Sequence, residues 1–209
     1  ASLQRNRFTI LSLLTRLRQA ACGAALLPWI GAGGAPETGG KISVLSDRAE
    51  ELYQGGKKVL VFSQFTKFLD LIKSNLIQKI GAGNIYELTG STRDRASPVE
   101  AFQSAKGGAL MLVSLRAGGT GITLTSADYV FMADPWWNPA VEEQAVDRVH
   151  RIGRKGDVFI YRMIAQDTVE DRVRRLQSQK KKLFNDLLGG LKDVSNQTKF
   201  LEAISDIIC

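Results

Sequence analysis

Histidine and cysteine are nearly absent from this 209-residue chain, which has one histidine, His150, and two cysteines, Cys22 and Cys209, near or at opposite ends. Zinc sites and Cys-His catalytic pairs need such residues in spaced sets, so both readings are disfavoured and no metal ligands are expected. Two cysteines so far apart also argue against a disulfide framework, and the compartment is expected to be reducing. No apolar run reaches eighteen residues, and the amino end lacks the charged-then-apolar pattern of a signal peptide. No membrane partner is therefore expected, and the protein is read as intracellular, in the cytoplasm or nucleoid of a bacterium or the nucleus of a eukaryote. The first residues are Ala-Ser rather than Met, which is read as a segment cut from a longer polypeptide.

Apolar residues make up 44% of the sequence, ample for one core, and 28 Lys and Arg against 21 Asp and Glu leave a formal charge of +7. Such a balance favours polyanionic partners without proving one. Glycine is common, with five in GAGGAPETGG at 31–40. That stretch fails both nucleotide motifs: the dinucleotide pattern would need Gly where Pro36 stands, and a phosphate loop would need Gly at Ala35 and Ser or Thr at Ile42. It is read as a loop or linker.

Helical spacing of apolar residues predicts a helix over 7–22 (RFTILSLLTRLRQAAC). From residue 41 helices and strands alternate. Helices are expected at 41–54, 64–79, 94–105 and 139–152, and strands at 57–62 (KKVLVF), 84–88 (NIYEL), 109–114 (ALMLVS), 128–133 (DYVFMA) and 157–163 (DVFIYRM). Phe65, Phe68, Leu69, Ile72, Leu76 and Ile80 mark one apolar face of the second of these helices. The alternation implies an α/β fold, a parallel sheet with helices on both faces, whose ligands gather at the carboxyl ends of the strands. A charged helix from about 167 to 188 and a short one near 198–208 complete the expected elements.

Two stretches could carry chemistry. In QAVDRVHRIGR (144–154), Gln144, Arg148 and Arg151 fall at i, i+4 and i+7, within about 60 degrees of each other on a helix. Val141, Ala145, Val149 and Ile152 form the adjacent apolar stripe. The plain alternative is a solvated face with Asp147 paired to Arg151. In SLRAGGTGITL (114–124), Gly118, Gly119 and Gly121 allow a tight turn with exposed amides suited to anionic oxygens; the alternative is a simple connection.

The continuous stretch SLRAGGTGITLTSADYVFMADPWWNPAVEEQAVDRVHRIGR resembles the fifth and sixth motifs of the Swi/Snf family of helicase-like, DNA-dependent ATPases. KKVLVFSQFTKFLDLI is similar to the family's fourth motif, YELTGSTRDRASPVEAFQ to the segment after it, LLTRLRQAACGAALL to its inter-lobe helix, and TVEDRVRRLQSQKKKLFNDLL to the helix that packs back across the lobe. The resemblance spans roughly residues 8–189. It implies two RecA-like lobes with ATP between them and duplex DNA across both. The first lobe's phosphate loop and Asp-Glu magnesium motif do not occur here, so this chain resembles the second lobe alone, divided into a linker region (1–40), a RecA-like lobe (41–166) and a helical extension (167–209).

By that resemblance Arg148 and Arg151 match the motif arginines, one or both of which reach the γ-phosphate, and Gln144 fits the glutamine that orients this network. Gly119 and Gly121 fit a turn coupling the nucleotide to DNA. The DNA candidates carried over are Ser63, Gln64, Gly90, Ser91, Thr92, Ser114, Arg116 and Trp137, with core packing as the alternative for Trp136 and Trp137 and helix capping for Ser63 and Thr92. Lys180, Lys181 and Lys182 read as a solvated face. Arg154 stands where the motif usually has glutamine, and Thr123 where it often has asparagine. The implied function is the second lobe of an ATP-dependent double-stranded DNA translocase, with ATP and Mg2+ held mainly by the first lobe of the same polypeptide and this fragment inactive by itself. The alternatives are an RNA helicase lobe or a stand-alone nucleic-acid-binding or regulatory module.

Overall fold

The computed structural model describes residues 2–30, 40–118, 123–149 and 156–188, with backbone alone for 2–8, 116, 118 and 180–188. Helix α1 (Ser2–Cys22) leads through a 3-10 turn (Ala24–Leu26), and α2 (Gly40–Gln54) precedes strand β1 (Lys58–Ser63). Then follow α3 (Thr66–Ile80), β2 (Ile85–Leu88), α4 (Ala96–Ser104), β3 (Ala109–Ser114), the one-turn α5 (Leu115–Gly118), β4 (Tyr129–Met132), α6 (Pro139–Asp147), β5 (Phe159–Arg162) and α7 (Val169–Leu188). The five strands form one sheet in the order β2-β3-β1-β4-β5, and every pairing is parallel.

Strand alternation divides the core into two layers. Val59, Val61, Leu110, Leu112, Phe131 and Ala133 face α2 and α3, whose Leu45, Ala49, Phe68, Leu69, Ile72 and Leu76 complete that side. Leu60, Phe62, Met111, Val113, Val130 and Met132 face the opposite way, against Val99 and Phe102 of α4 and Ala145 of α6. Burial on both faces explains why the central strands read as continuous apolar runs rather than alternating ones. Each fully buried Leu, Val or Phe contributes on the order of 2 kcal/mol. α2 stops at Gly56 (φ 74), where Gly56 N–H bonds the Tyr53 carbonyl and Lys57 N–H bonds that of Leu52. Only glycine takes this left-handed position cheaply, so Gly56 turns the chain directly into β1.

The expected elements are present with shifted ends. α3 begins at Thr66 and leaves Phe65 as its cap residue, α4 begins at Ala96, where the Asp94 carboxylate accepts from Ala96 and Ser97 N–H, and β5 shortens to four residues. The expected helix over 139–152 ends at Asp147. Beyond it Val149 N–H bonds the Val146 carbonyl, three residues back, and the Arg148 carbonyl accepts from Leu124 N–H at 2.9 Å, from outside the helix. The segment after β3 begins with a helical turn, α5, that takes in the first of its glycines, Gly118. The linker at 31–39 and the last expected helix at 198–208 lie outside the described residues.

Candidate functional site

Parallel pairing brings every strand exit to one edge. Ser63 at the end of β1 is in register with Ser114 at the end of β3, and Phe62 with Met132 of β4. The connection leaving β1 runs through α3 towards β2 on one side of the sheet order, and that leaving β4 runs through α6 to β5 on the other. Adjacent strands β1 and β4 thus form the topological switch point, the place where open α/β sheets open a crevice.

A buried carboxylate lies at that switch point. Asp134, two residues beyond β4 and 1% exposed, accepts a short hydrogen bond from the Ser63 hydroxyl, one from Gln64 Nε2 at 2.5 Å and a longer one from Gln64 N–H at 3.3 Å. The Arg18 guanidinium of α1, on a residue 3% exposed, lies 4.0 Å from Asp134 and donates to the Pro135 carbonyl. It lies over two aromatic rings, 5.5 Å from the centroid of Trp137 and 5.7 Å from that of Phe65, while its Nε is buried with no hydrogen-bond partner among the described residues. Burial pushes the Asp134 carboxyl up to about 6, against the opposing pull of Ser63, Arg18 and Gln64. Burial also lowers Arg18 from its ordinary value.

Two further buried groups tie the helices to this edge. Glu170, at the start of α7 and fully buried, accepts from Lys41 at 2.7 and 2.5 Å and from Ala165 N–H at 2.8 Å, with the Cys22 thiol 3.6 Å away. Burial raises the Cys22 thiol far above its ordinary range. Glu142 of α6 accepts from Trp136 N–H at 2.9 Å and from Gln177 of α7 at 3.1 Å, and Arg162 approaches it at 3.5 Å. Asn138 caps α6 by accepting from Ala140 N–H at 3.2 Å.

Two of the candidate side chains turn inward, and Ser63 also accepts from Phe65 N–H at 3.0 Å at the start of α3, the capping role offered as its alternative. The side chains of Ser63 and Ser114 face inward: Ser63 is fully buried on Asp134, and Ser114, 4% exposed, accepts from Ala117 N–H. Trp137 is half-buried against Arg18, while Gln64 remains half-exposed at the crevice. After β2, Gly90 and Ser91 are exposed, and Thr92 is half-buried with its hydroxyl accepting from Thr89 N–H at 2.9 Å. Gln144 is exposed on α6, and Arg148 is half-buried just beyond its end with Nε buried and unpartnered among the described residues. Arg116 is described as backbone within α5, and the side chains of Lys180, Lys181 and Lys182 lie outside the described residues, as do Gly119, Gly121, Arg151 and Arg154. Sequence reasoning missed Arg18, Asp134, Glu142 and Glu170, because charged residues at helical positions or strand ends read as solvated. The available signal was the position of Asp134 directly after an apolar strand, in DYVFMAD.

Residues 40–153, more than half of the chain, match the family model described as the helicase conserved C-terminal domain. The chain belongs to that family, in its Swi/Snf branch. Among its relatives, the DNA repair protein RAD5B of Arabidopsis thaliana is 39% identical over 166 residues, 78% of this chain and 13% of its own length. An uncharacterised ATP-dependent helicase of Mycoplasma pneumoniae is 35% identical over 202 residues, 97% of this chain and 18% of its own. Among solved structures, the Sulfolobus solfataricus SWI2/SNF2 ATPase core in complex with double-stranded DNA superposes with a TM-score of 0.70 at 32% identity, over 88% of this chain and 38% of that one. The chain thus spans less than a fifth of these two relatives' length, and this helicase C-terminal lobe has the RecA-like fold of the SWI2/SNF2 ATPases.

Proposed function

We propose that this helicase C-terminal domain is the second lobe of an ATP-dependent double-stranded DNA translocase. Its task is to complete a nucleotide site shared with a first lobe and to grip the DNA backbone. The observation that carries the nucleotide half of this reading is Arg148. Its Nε is buried at the end of α6 without a hydrogen-bond partner among the described residues, beside Leu124, which closes the glycine-bearing segment. A buried guanidinium edge left unmatched is costly unless an anion completes it, which fits a triphosphate at a lobe interface. Arg148 and Arg151 act there as arginine fingers, with Gln144 orienting them and Gly119 and Gly121 forming the turn between nucleotide and DNA. Such a finger is worth about 10³ to 10⁵ in rate in nucleotide hydrolases.

ATP is the substrate, and magnesium supplies charge neutralisation on its phosphates when bound. Among the described residues no three His, Cys, Asp or Glu side chains are gathered as a metal site. We assign the metal to the first lobe of the same polypeptide.

Gln64, Gly90, Ser91, Thr92, Arg116 and Trp137 are the proposed backbone contacts, because phosphate binding at strand exits positions a duplex without reading its bases. Ser63 and Ser114 support those exits from inside. No described helix is long and apolar enough to cross a membrane.

The test is a comparison of wild type and Arg148→Ala in a polypeptide carrying both lobes. The variant is expected to lose ATP turnover by at least about a thousandfold while retaining duplex binding. Loss of duplex binding with turnover intact would overturn the assignment. The isolated 209-residue chain is expected to show no ATP turnover, and robust hydrolysis by it would sink the single-lobe reading.

A further inference from the structure

We infer that Asp134 is a positioning residue for duplex binding, a buried joint through which helix α1 sets the β1 exit and the Trp136-Trp137 segment in one arrangement. The inference rests on the proposed reading of these exits as the DNA-facing edge. One carboxylate holds three donors from Ser63 and Gln64. The same group balances Arg18, whose guanidinium lies over Phe65 from the β1 exit and Trp137 from the β4 exit. Arg18 also donates to the Pro135 carbonyl, and its Nε has no hydrogen-bond partner among the described residues. Helix α1 is thereby linked to both exits through Arg18, by its ion pair with Asp134, its hydrogen bond to the Pro135 carbonyl and its contacts with Phe65 and Trp137.

Chemistry distinguishes this joint from ordinary packing. A carboxylate accepts every donor offered by Ser63 and Gln64, whereas a protonated carboxyl or an asparagine amide presents a donor of its own to the same groups. The charged and titratable groups around Asp134 are Arg18 and Cys22 from α1, Lys41 from α2 and Glu170 from α7, with Glu142 of α6 on the far side of Arg18. With Asp134 titrating at about 6, nearly all of it is ionised at pH 7.5 and about a quarter at pH 5.5. If binding requires the carboxylate, affinity falls about fourfold over that interval. Simple electrostatics has the opposite sign, since protonation of surface groups as pH falls makes the chain more positive and tightens its hold on phosphate.

The experiment measures binding of a fluorescent 20-base-pair duplex to the 209-residue chain from pH 5 to 8 at constant ionic strength, alongside intrinsic tryptophan fluorescence without DNA. Wild type is expected to weaken about fourfold between pH 7.5 and 5.5, with a fluorescence midpoint near 6. D134N is expected to bind more weakly than wild type at pH 7.5, to tighten as pH falls and to lose the fluorescence midpoint. S63A, a smaller change that keeps the carboxylate, is expected to move both midpoints upward, because the Ser63 hydrogen bond favours the ionised form. Duplex binding by wild type with a pH profile and fluorescence titration matching those of D134N would sink the joint while leaving the duplex-binding reading intact. No duplex binding by wild type at pH 7.5 would sink that reading, and this inference with it.

Discussion

Glu170→Ala is the sharpest test of how the helices are tied to the sheet. The Lys41 side chain is 4% exposed and that of Glu170 is 0% exposed, so truncation leaves an ammonium group buried without its hydrogen-bonded counter-charge. Breaking a buried pair from one side costs about 3 to 5 kcal/mol, and the Ala165 N–H, bonded to the same carboxylate at 2.8 Å, loses its partner as well. Against a total stability of about 5 to 15 kcal/mol, that is a large fraction. At about 2 to 4 °C per kcal/mol for a domain of this size, the melting temperature is expected to fall by roughly 6 to 20 °C. Urea unfolding followed by circular dichroism would show a lower midpoint with an unchanged slope. Glu170→Gln, which keeps an acceptor for Ala165, should fall between wild type and Glu170→Ala. Pairing Lys41→Met with Glu170→Leu should recover most of the loss, because neither charge of the pair is then left buried without the other. A cost for Glu170→Ala below about 1 kcal/mol would refute the reasoning, since it would mean that Lys41 reaches water without disturbing the fold.

Gly108→Ala is expected to destabilise the chain by about 3 kcal/mol or more, because a Cβ at that position would lie 2.1 Å from the Tyr53 carbonyl oxygen, a backbone atom that cannot swing aside. Thermal unfolding of the purified variant checks it, and a change under about 1 kcal/mol would contradict the close approach. Asp134 gives a pH-dependent stability of defined sign: its folded value is raised to about 6 from 3.8, so its contribution is fully present below 3.8 and is lost as pH rises through 6. Relative to D134N, wild type should gain about 1.4 kcal/mol per pH unit as pH falls from about 6 towards 3.8, read from urea midpoints at stepped pH.

Much of the fold was legible in the chain because its physical signals are local. β-branched and leucine-rich runs marked β1, β3 and β4; the three- and four-residue spacing of Phe68, Leu69, Ile72 and Leu76 marked α3, and all four are buried where that face meets the sheet. Element ends were less legible. α6 was expected to reach residue 152, yet it ends at Asp147, beyond which Val149 N–H turns to the Val146 carbonyl and Leu124, distant in sequence, bonds the Arg148 carbonyl. Among the candidate residues, Gln64 and Ser91 stand at strand exits as the parallel alternation implied. The inward orientation of Ser63 was invisible, because its partner Asp134 lies 71 positions away in sequence.

The sequence by itself determined the helix-strand alternation, the parallel sheet it implies and the family, since each rests on periodicity or on a contiguous motif. Tertiary structure alone decided which charged residues are interior. Arg18, Asp134, Lys41 and Glu170 come from four separate segments, and nothing local distinguishes them from the solvated charges beside them. Whether a charge is buried depends on the partner that compensates it, and the partners here are Asp134 for Arg18 and Lys41 for Glu170, 116 and 129 residues apart in the chain.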